Sequence, residues 1–336
     1  MTLRVGIIGT GSIGTDHARM LAGRVGRATV VAVTDVDGER AGALAAELGA
    51  RHHADHAGLI ADADVDAVVI ASSGPAHAAQ ARACIAAGKP VLCEKPLAPT
   101  PAEALTVVQA EVAADRRLLQ VGFMRRFDPG YLDVKGSLDA GVIGVPLLVH
   151  CVHRNPTVPP GFTPAMGLTD SMVHELDIVR WLLDDEIIEV QVLLPHPSPN
   201  GPTPDYQDPQ LAVLRMSRGV LVDVEVLLHG GFGYDVRCEV VGSKGVAALE
   251  NPRLASYVSA ETRREAVPSG WKTRFADTYR IELQAWVNAT LAGTVVGASA
   301  WDGYAASAAA AAAVEAQSTS GTPVVVAMEP KPALYA

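Results

Sequence analysis

Leu3-Arg4-Val5-Gly6-Ile7-Ile8-Gly9-Thr10-Gly11-Ser12-Ile13-Gly14 carries two signals in register. Leu3 to Ile8 is an apolar, β-rich run without polar alternation, as in a strand buried on both faces. Gly9, Gly11 and Gly14, with Thr10, Ser12 and Ile13 between them, then form a GxGxxG where the strand gives way to a helix. In that context Gly9 permits the sharp turn, Gly11 lets a pyrophosphate approach the backbone, and Gly14 lets helix and strand pack closely. The unsatisfied N–H groups and positive end of the helix receive the phosphates. Asp35 follows roughly 20 residues on, at the end of a second predicted strand, where an acid binds a ribose 2′-hydroxyl. A carboxylate there repels a 2′-phosphate, and Val36 and Asp37 follow with no adjacent arginine. The reading is a dinucleotide site for NAD rather than NADP.

Working outward, Thr29 to Thr34, Ala67 to Ala71, Pro90 to Cys93 and Leu118 to Val121 repeat the short apolar run, with Ala-rich helical stretches such as Gly38 to Leu48 and Ala76 to Ala87 between them. Alternating strand and helix predicts an α/β domain of the Rossmann type, a doubly wound parallel sheet, over residues 1–122. Residues 123–336 read differently. Leu147 to His153, Ile187 to Leu194, Leu211 to Ser217, Val220 to Leu228 and Tyr234 to Val241 look like strands, and Ser217-Arg218-Gly219 like a hairpin turn. Val222-Asp223-Val224-Glu225-Val226 alternates apolar with acidic residues, as on a sheet with one wet face. An α+β domain with a large, mostly antiparallel open sheet is predicted, with helices over Ser171 to Leu183, about Asp277 to Leu291 and Gly303 to Gln317. Two Pro-rich loops, Asn155 to Pro164 and Pro195 to Pro209, punctuate it.

The chain has 336 residues and a formal net charge of −10, which argues against a phosphate-neutralising nucleic-acid face. Its 49% hydrophobic content supports sizeable cores. No apolar run reaches the roughly 20 residues of a membrane helix, and the N-terminus reads as a strand, not a signal peptide; a cytoplasmic protein is expected. The four cysteines, Cys84, Cys93, Cys151 and Cys238, show no metal or redox spacing and are expected to be buried thiols. His52, His53 and His56 cluster with Asp55 but read as a solvated turn, so no metal is expected.

Pro90-Val91-Leu92-Cys93-Glu94-Lys95-Pro96-Leu97 ends a strand of the parallel sheet, which puts Lys95 at the edge where such sheets bind ligands. An N-terminal GxGxxG followed by Glu-Lys-Pro resembles the Gfo/Idh/MocA family of oxidoreductases. Further stretches resemble its inositol dehydrogenases: Gly122 to Asp128, His150 to Val158, Asp170-Ser171-Met172-Val173-His174-Glu175-Leu176-Asp177, Tyr234 to Glu239, and Thr294 to Tyr304 with its Trp301-Asp302-Gly303-Tyr304. The similarity runs from Leu3 to near the C-terminus.

The resemblance implies oxidation of a cyclic polyol hydroxyl, with myo-inositol as the leading substrate, by hydride transfer to NAD. It implies a catalytic group of Lys95, Asp170 and His174. It extends cofactor contacts from the glycine loop and Asp35 to Ser72, Ser73, His77, Glu94 and Lys95, and substrate contacts to Met124, Arg125, His153, Asn155 and Tyr234. It also implies a homotetramer. The spacing speaks independently for part of this. Asp170 and His174 are four apart, one face of a helix, with the acid at its N-terminal end. A carboxylate beside an imidazole orients it, and imidazole is a workable base near neutrality. Taken singly, Asp170 could be an N-cap, His174 a satisfied core histidine, Met124 core filler and Arg125 half of an ion pair. Ser73 and Phe232 stand where bacterial members carry Trp and Tyr, which bears on isomer preference rather than on reaction type. The alternatives are a dehydrogenase of another cyclitol or sugar, and an NAD-sensing protein without turnover.

Overall fold

The computed structural model describes residues 1–249, 256–259, 261–319 and 321–336. By internal contacts the chain forms two compact units, Met1–Phe127 with Asp277–Ser307 and Glu329–Ala336, and Asp128–Ala276 with Ala308–Met328.

The first unit is built on a six-stranded sheet, ordered β3-β2-β1-β4-β5-β6. Its strands are β1 (Leu3–Ile8), β2 (Ala28–Thr34), β3 (Arg51–His52), β4 (Ala67–Ile70), β5 (Val91–Glu94) and β6 (Leu119–Gly122), and every pairing is parallel. Helices α1 (Ser12–Gly23), α2 (Gly38–Leu48), α3 (His56–Ala61), α4 (Gly74–Ala86) and α5 (Pro101–Ala113) make the crossovers. The unalternating strands β4, β5 and β6 are buried at every position, as a sheet covered on both faces requires. Helix starts follow their caps: Asp37 accepts from the Arg40 N–H at α2, and Thr100 from the Glu103 N–H at α5. The short β3 was not predicted; two exposed residues, one charged, carry no strand signal.

The sequence boundary at residues 122/123 differs from the observed one. Leu283, Trp286 and Val287 join Val5, Ile7, Leu21, Val33 and Leu92 in one apolar core, so a segment from far down the chain completes the first unit. Tyr335 returns as well, its hydroxyl donating to Glu111 Oε2 at 2.7 Å.

The second unit is built from α6 (Pro129–Asp139), β7 (Pro146–Arg154), α7 (Pro164–Met166), α8 (Val173–Leu183), β8 (Ile187–Leu193), β9 (Gln210–Met216), β10 (Leu221–Leu227), β11 (Asp235–Gly242) and β12 (Val246–Leu249). A small hairpin, β13 (Ser256–Ser259) and β14 (Thr262–Glu265), follows. Two long helices, α9 (Trp271–Leu291) and α10 (Ala300–Ser318), the short β15 (Val324–Val325) and a 3-10 turn (Ala333–Tyr335) end the element order. The seven-stranded sheet is ordered β12-β11-β7-β10-β9-β8-β15, antiparallel throughout except for β7 with β10. The predicted fold class, α/β with a Rossmann-type parallel sheet and a second, mostly antiparallel one, is the observed one. Alternation is clean: Val222, Val224 and Val226 are buried, while Leu221 is exposed and Asp223 and Glu225 are half-buried.

One element departs from expectation. The helix predicted from Ser171 begins earlier, at α7, capped by Thr163, and passes through a π-helical turn, Gly167–Ser171, before α8. Met172 N–H donates to Gly167 O at 2.9 Å, the i to i+5 bond of such a turn. Asp170 is therefore inside a helical run rather than at its start, and Met172, which precedes α8, provides no side-chain cap. The face-sharing argument for Asp170 and His174 assumed α-helical spacing, whereas Asp170 sits within the wide turn and His174 in α8. Gly167 opens the turn against the neighbouring strands, where a Cβ would meet Leu228 at 3.1 Å and Gln210 at 3.4 Å.

Candidate functional site

In the first unit the predicted residues gather at one edge. Gly9 follows β1, Asp35 follows β2, Ser72 and Ser73 follow β4, Lys95 follows β5, and Met124 and Arg125 follow β6 in a 3-10 turn. This is the carboxyl edge of a parallel sheet. β1 lies between β2 and β4, where the strand order reverses, which is where ligands of such sheets bind.

The glycine loop fits a dinucleotide on its own geometry. Gly9 has φ +94°, and a Cβ there would fall 2.4 Å from Ser72 N. A Cβ on Gly14 would fall 2.0 Å from Gly9 O, so the third glycine is what lets α1 pack against the turn. Gly11 is different. It has ordinary φ (−66°), and a Cβ would meet nothing within 4 Å. Protein packing leaves that space open, and the pyrophosphate of a dinucleotide needs it. Beside it is a cavity of about 390 Å³ lined by Gly9, Gly11, Asp35, Val36, Arg40, Ser72 and Ser73, among others. Thr10 contributes its backbone: its N–H donates to Asp35 Oδ2 at 2.5 Å. Ser12 and Ile13 open α1.

Several neighbours escaped the sequence reading. Arg40, five residues beyond Asp35 and one turn into α2, reaches back to Asp35 Oδ1 at 2.7 Å. The absence of an adjacent arginine thus held only along the chain. Asp55 and His56, from the cluster read as a solvated turn, line the cavity together with Ala54. Gln80 lines it too, its Oε1 accepting from Ser72 Oγ at 2.7 Å. His17, wholly buried in α1, places Nε2 2.7 Å from Glu94 Oε1, while Glu94 Oε2 accepts the Lys95 N–H at 3.2 Å. His77 lies between Pro96 O (2.8 Å from Nδ1) and Ser72 O (3.0 Å from Nε2), bridging the ends of β4 and β5. The carboxylate of Glu94 is thus used in fixing the strand end that carries Lys95.

Electrostatics at Asp35 are set by competing causes. Burial raises its carboxyl pKa, but the N–H groups of Asp37 and Thr10, with the Arg40 guanidinium and Thr10 hydroxyl, outweigh it and hold the group below the ordinary carboxylate value. Cys84 and Cys93, both buried, are shifted the other way by desolvation: Cys84 is pushed up to about 12 and Cys93 well above its usual value, so neither is a ready thiolate.

In the second unit a polar cluster joins the inner face of β7 to α8. His153 Nδ1 is 2.9 Å from Glu175 Oε2, and the His153 ring meets Tyr234 edge-on at 6.0 Å between centroids. Tyr234 in turn packs edge-on against Phe275. Asn155 continues from β7, its N–H donating to Leu227 O and its carbonyl accepting from Gly230, which anchors the start of the Pro-rich loop. His174 is 8% exposed and next to Glu175, and Asp170 is half-buried in the π turn. Buried His174, Glu175, Asp177 and Arg180 on a single helix are a costly arrangement for structure alone. Glu175 was the residue missed; its signal was its place in the His-Glu-Leu-Asp stretch. Among the described residues no group of His, Cys, Asp and Glu is arranged to hold a metal ion.

Comparison with known proteins accounts for both units. Residues 3–123 match the NAD-binding Rossmann fold of the Gfo/Idh/MocA oxidoreductases, and residues 135–326 match that family's C-terminal alpha/beta domain. Inositol 2-dehydrogenase 1 of Saccharopolyspora erythraea is 52% identical over 337 residues, covering 100% of this chain and 99% of the relative. The crystal structure of myo-inositol dehydrogenase from Lactobacillus casei, in complex with NAD(H) and myo-inositol, superposes with a TM-score of 0.97 at 37% identity, covering all of both chains. Scyllo-inositol dehydrogenase of the same organism gives 0.88 at 27%, with 97% of this chain and 99% of that one covered. The chain belongs to the Gfo/Idh/MocA oxidoreductase family and is an NAD-dependent enzyme.

Proposed function

We propose that this enzyme oxidises a secondary hydroxyl of an inositol, with myo-inositol as substrate and its 2-keto derivative as product. One observation carries the reading. A chain with the glycine cradle and Asp35 also aligns end to end, at TM-score 0.97, with an enzyme whose structure holds NAD(H) and myo-inositol.

Bound NAD supplies the hydride acceptor. Lys95, at the carboxyl edge of the parallel sheet, is proposed to stabilise negative charge developing on the substrate oxygen with its ammonium. His174 is proposed to accept the hydroxyl proton, with Asp170 supporting the imidazole. Met124, Arg125, His153, Asn155 and Tyr234 are proposed to hold the ring hydroxyls, which need many fixed donors and acceptors. Ser72, Ser73 and His77 are proposed to shape the cofactor side, and Glu94 to act there through the Lys95 backbone.

The family resemblance proposes a homotetramer. Exposed Leu148 and Leu221, paired across β7 and β10, are apolar surface that a second copy would cover, and light scattering on the eluted protein tests it. No helix among the described residues is long and apolar enough to cross a membrane, and a cytoplasmic location is proposed.

The test is NADH formation with a panel of myo-inositol, scyllo-inositol, an aminocyclitol and glucose. Turnover greatest with myo-inositol supports the reading. Tight NAD binding without reduction on any polyol overturns it in favour of a cofactor sensor.

A further inference from the structure

Glu94 closes β5 opposite Gly122 of β6, and its carboxylate lies over that glycine: a Cβ on Gly122 would fall 3.1 Å from Glu94 Cδ and 3.1 Å from Oε2. Oε2 accepts the Lys95 N–H at 3.2 Å, and Oε1 is 2.7 Å from His17 Nε2. A carboxylate only accepts, so Nε2 carries the hydrogen between them.

His17 comes from the second turn of α1, with its side chain 0% exposed. Its ring meets Tyr279 of α9, within the same unit, at 5.7 Å between centroids. Its Nδ1 is buried with no hydrogen-bond partner among the described residues, so Glu94 Oε1 is the polar contact that accounts for a histidine here. Ala18 and Leu21, next along α1, belong to the apolar core. An apolar side chain at residue 17 would extend that core without burying a ring beside a carboxylate, which is costly for structure alone. On the far side of Lys95, Pro96 O is 2.8 Å from His77 Nδ1 of α4. Lys95 therefore stands between two neighbours, each tied to a different helix. An ammonium that must meet a developing oxyanion depends on such placement, since a shift of about 1 Å can cost about a hundredfold in rate.

We propose that His17 is a positioning residue for Lys95: from the helix that opens at the glycine loop it fixes the Glu94 carboxylate, and Glu94 fixes the Lys95 backbone. The proposal rests on the role given to Lys95 in the dehydrogenase reading and adds a residue that touches neither cofactor nor substrate.

The experiment compares full-length wild type, His17→Phe, His17→Gln, Glu94→Ala and His17→Phe/Glu94→Ala. His17→Phe keeps a ring against Tyr279 but loses the donor, whereas His17→Gln keeps an N–H at similar reach. In His17→Phe, kcat with myo-inositol is expected to fall about tenfold or more, the scale of one hydrogen bond to a charged group, while Kd for NAD stays within about twofold. His17→Gln should restore most of the loss. In the Glu94→Ala background His17→Phe should lower kcat no further, because the two residues act through one contact. Amide hydrogen exchange at Lys95, read without turnover, should quicken in His17→Phe. His17→Leu runs the same cycle if the phenylalanine variant fails to fold. An unchanged kcat in His17→Phe overturns the role, as do unchanged exchange at Lys95, additive losses in the double variant, or equal losses in the Phe and Gln variants. A wild type that turns over no polyol overturns the dehydrogenase reading and the proposal with it, whereas an active wild type matched by His17→Phe overturns the proposal alone.

Discussion

His153 Nδ1 lies 2.9 Å from Glu175 Oε2, with both side chains almost wholly out of water. A carboxylate only accepts, so Nδ1 carries the proton and the ring's orientation is set from α8. Glu175 is thus a positioning residue for His153. Glu175→Ala removes the acceptor of a buried ring N–H and should cost about 1–3 kcal/mol, the usual loss when a buried hydrogen-bond partner is deleted. Glu175→Gln keeps the shape but not the charge. It should lower kcat/KM for the polyol by about tenfold or more, with a smaller loss of thermal stability. An unchanged melting temperature for Glu175→Ala would sink the assignment.

For His174 the prediction separates chemistry from cofactor binding. His174→Ala should lower kcat by about 10²- to 10⁴-fold, the range for loss of a general base. NAD affinity should be unchanged, because the glycine cradle and Asp35 belong to the other unit. Stopped-flow turnover and cofactor fluorescence titration measure the two separately. A parallel loss of NAD affinity would point to structural damage rather than a missing base.

Much of this was legible because its physics is local. The glycine loop could be read because each glycine answers a backbone demand that a Cβ would violate, at Ser72 N for Gly9 and at Gly9 O for Gly14. The buried strands announced themselves by lacking polar alternation. What escaped reading was non-local or rested on a small energy difference. Arg40 meets Asp35 only because α2 turns back over the strand end. His17 meets Glu94 across 77 residues of sequence. The π turn at Asp170 adds one residue to a helical circuit, and no composition rule distinguishes it from an α turn. The helical segment from Asp277 has the pattern of any amphipathic helix; only packing reveals that Leu283, Trp286 and Val287 complete the first core.

Acid should act on the first unit through Asp35. Its carboxyl is held below the ordinary value despite burial, by Asp37 and Thr10 N–H groups and Arg40. The folded chain therefore binds this proton less readily than the unfolded chain. The resulting stabilisation is complete above the unfolded value of about 3.9 and disappears as pH falls through the lower folded value. Wild type should melt higher than Asp35→Asn near neutrality, and the gap should close under strong acid. A gap that widens on acidification would contradict the sign.

The C-terminal return makes the last prediction. Tyr335 donates to Glu111 Oε2 at 2.7 Å, while Glu111 Oε1 accepts the Leu118 and Leu119 N–H groups, all with Glu111 fully buried. Burial first, then the charge and hydrogen bond of Glu111, raises the phenol above its usual value. Tyr335→Phe removes one donor from a buried carboxylate and should cost about 1–3 kcal/mol, several degrees of melting temperature. Because the folded phenol is the weaker acid, its contribution is full below the unfolded value of about 10 and is lost as pH rises beyond it. The deficit of Tyr335→Phe should therefore shrink in alkali. A deficit independent of pH would mean that the ring's packing, rather than its proton, holds the C-terminus in place.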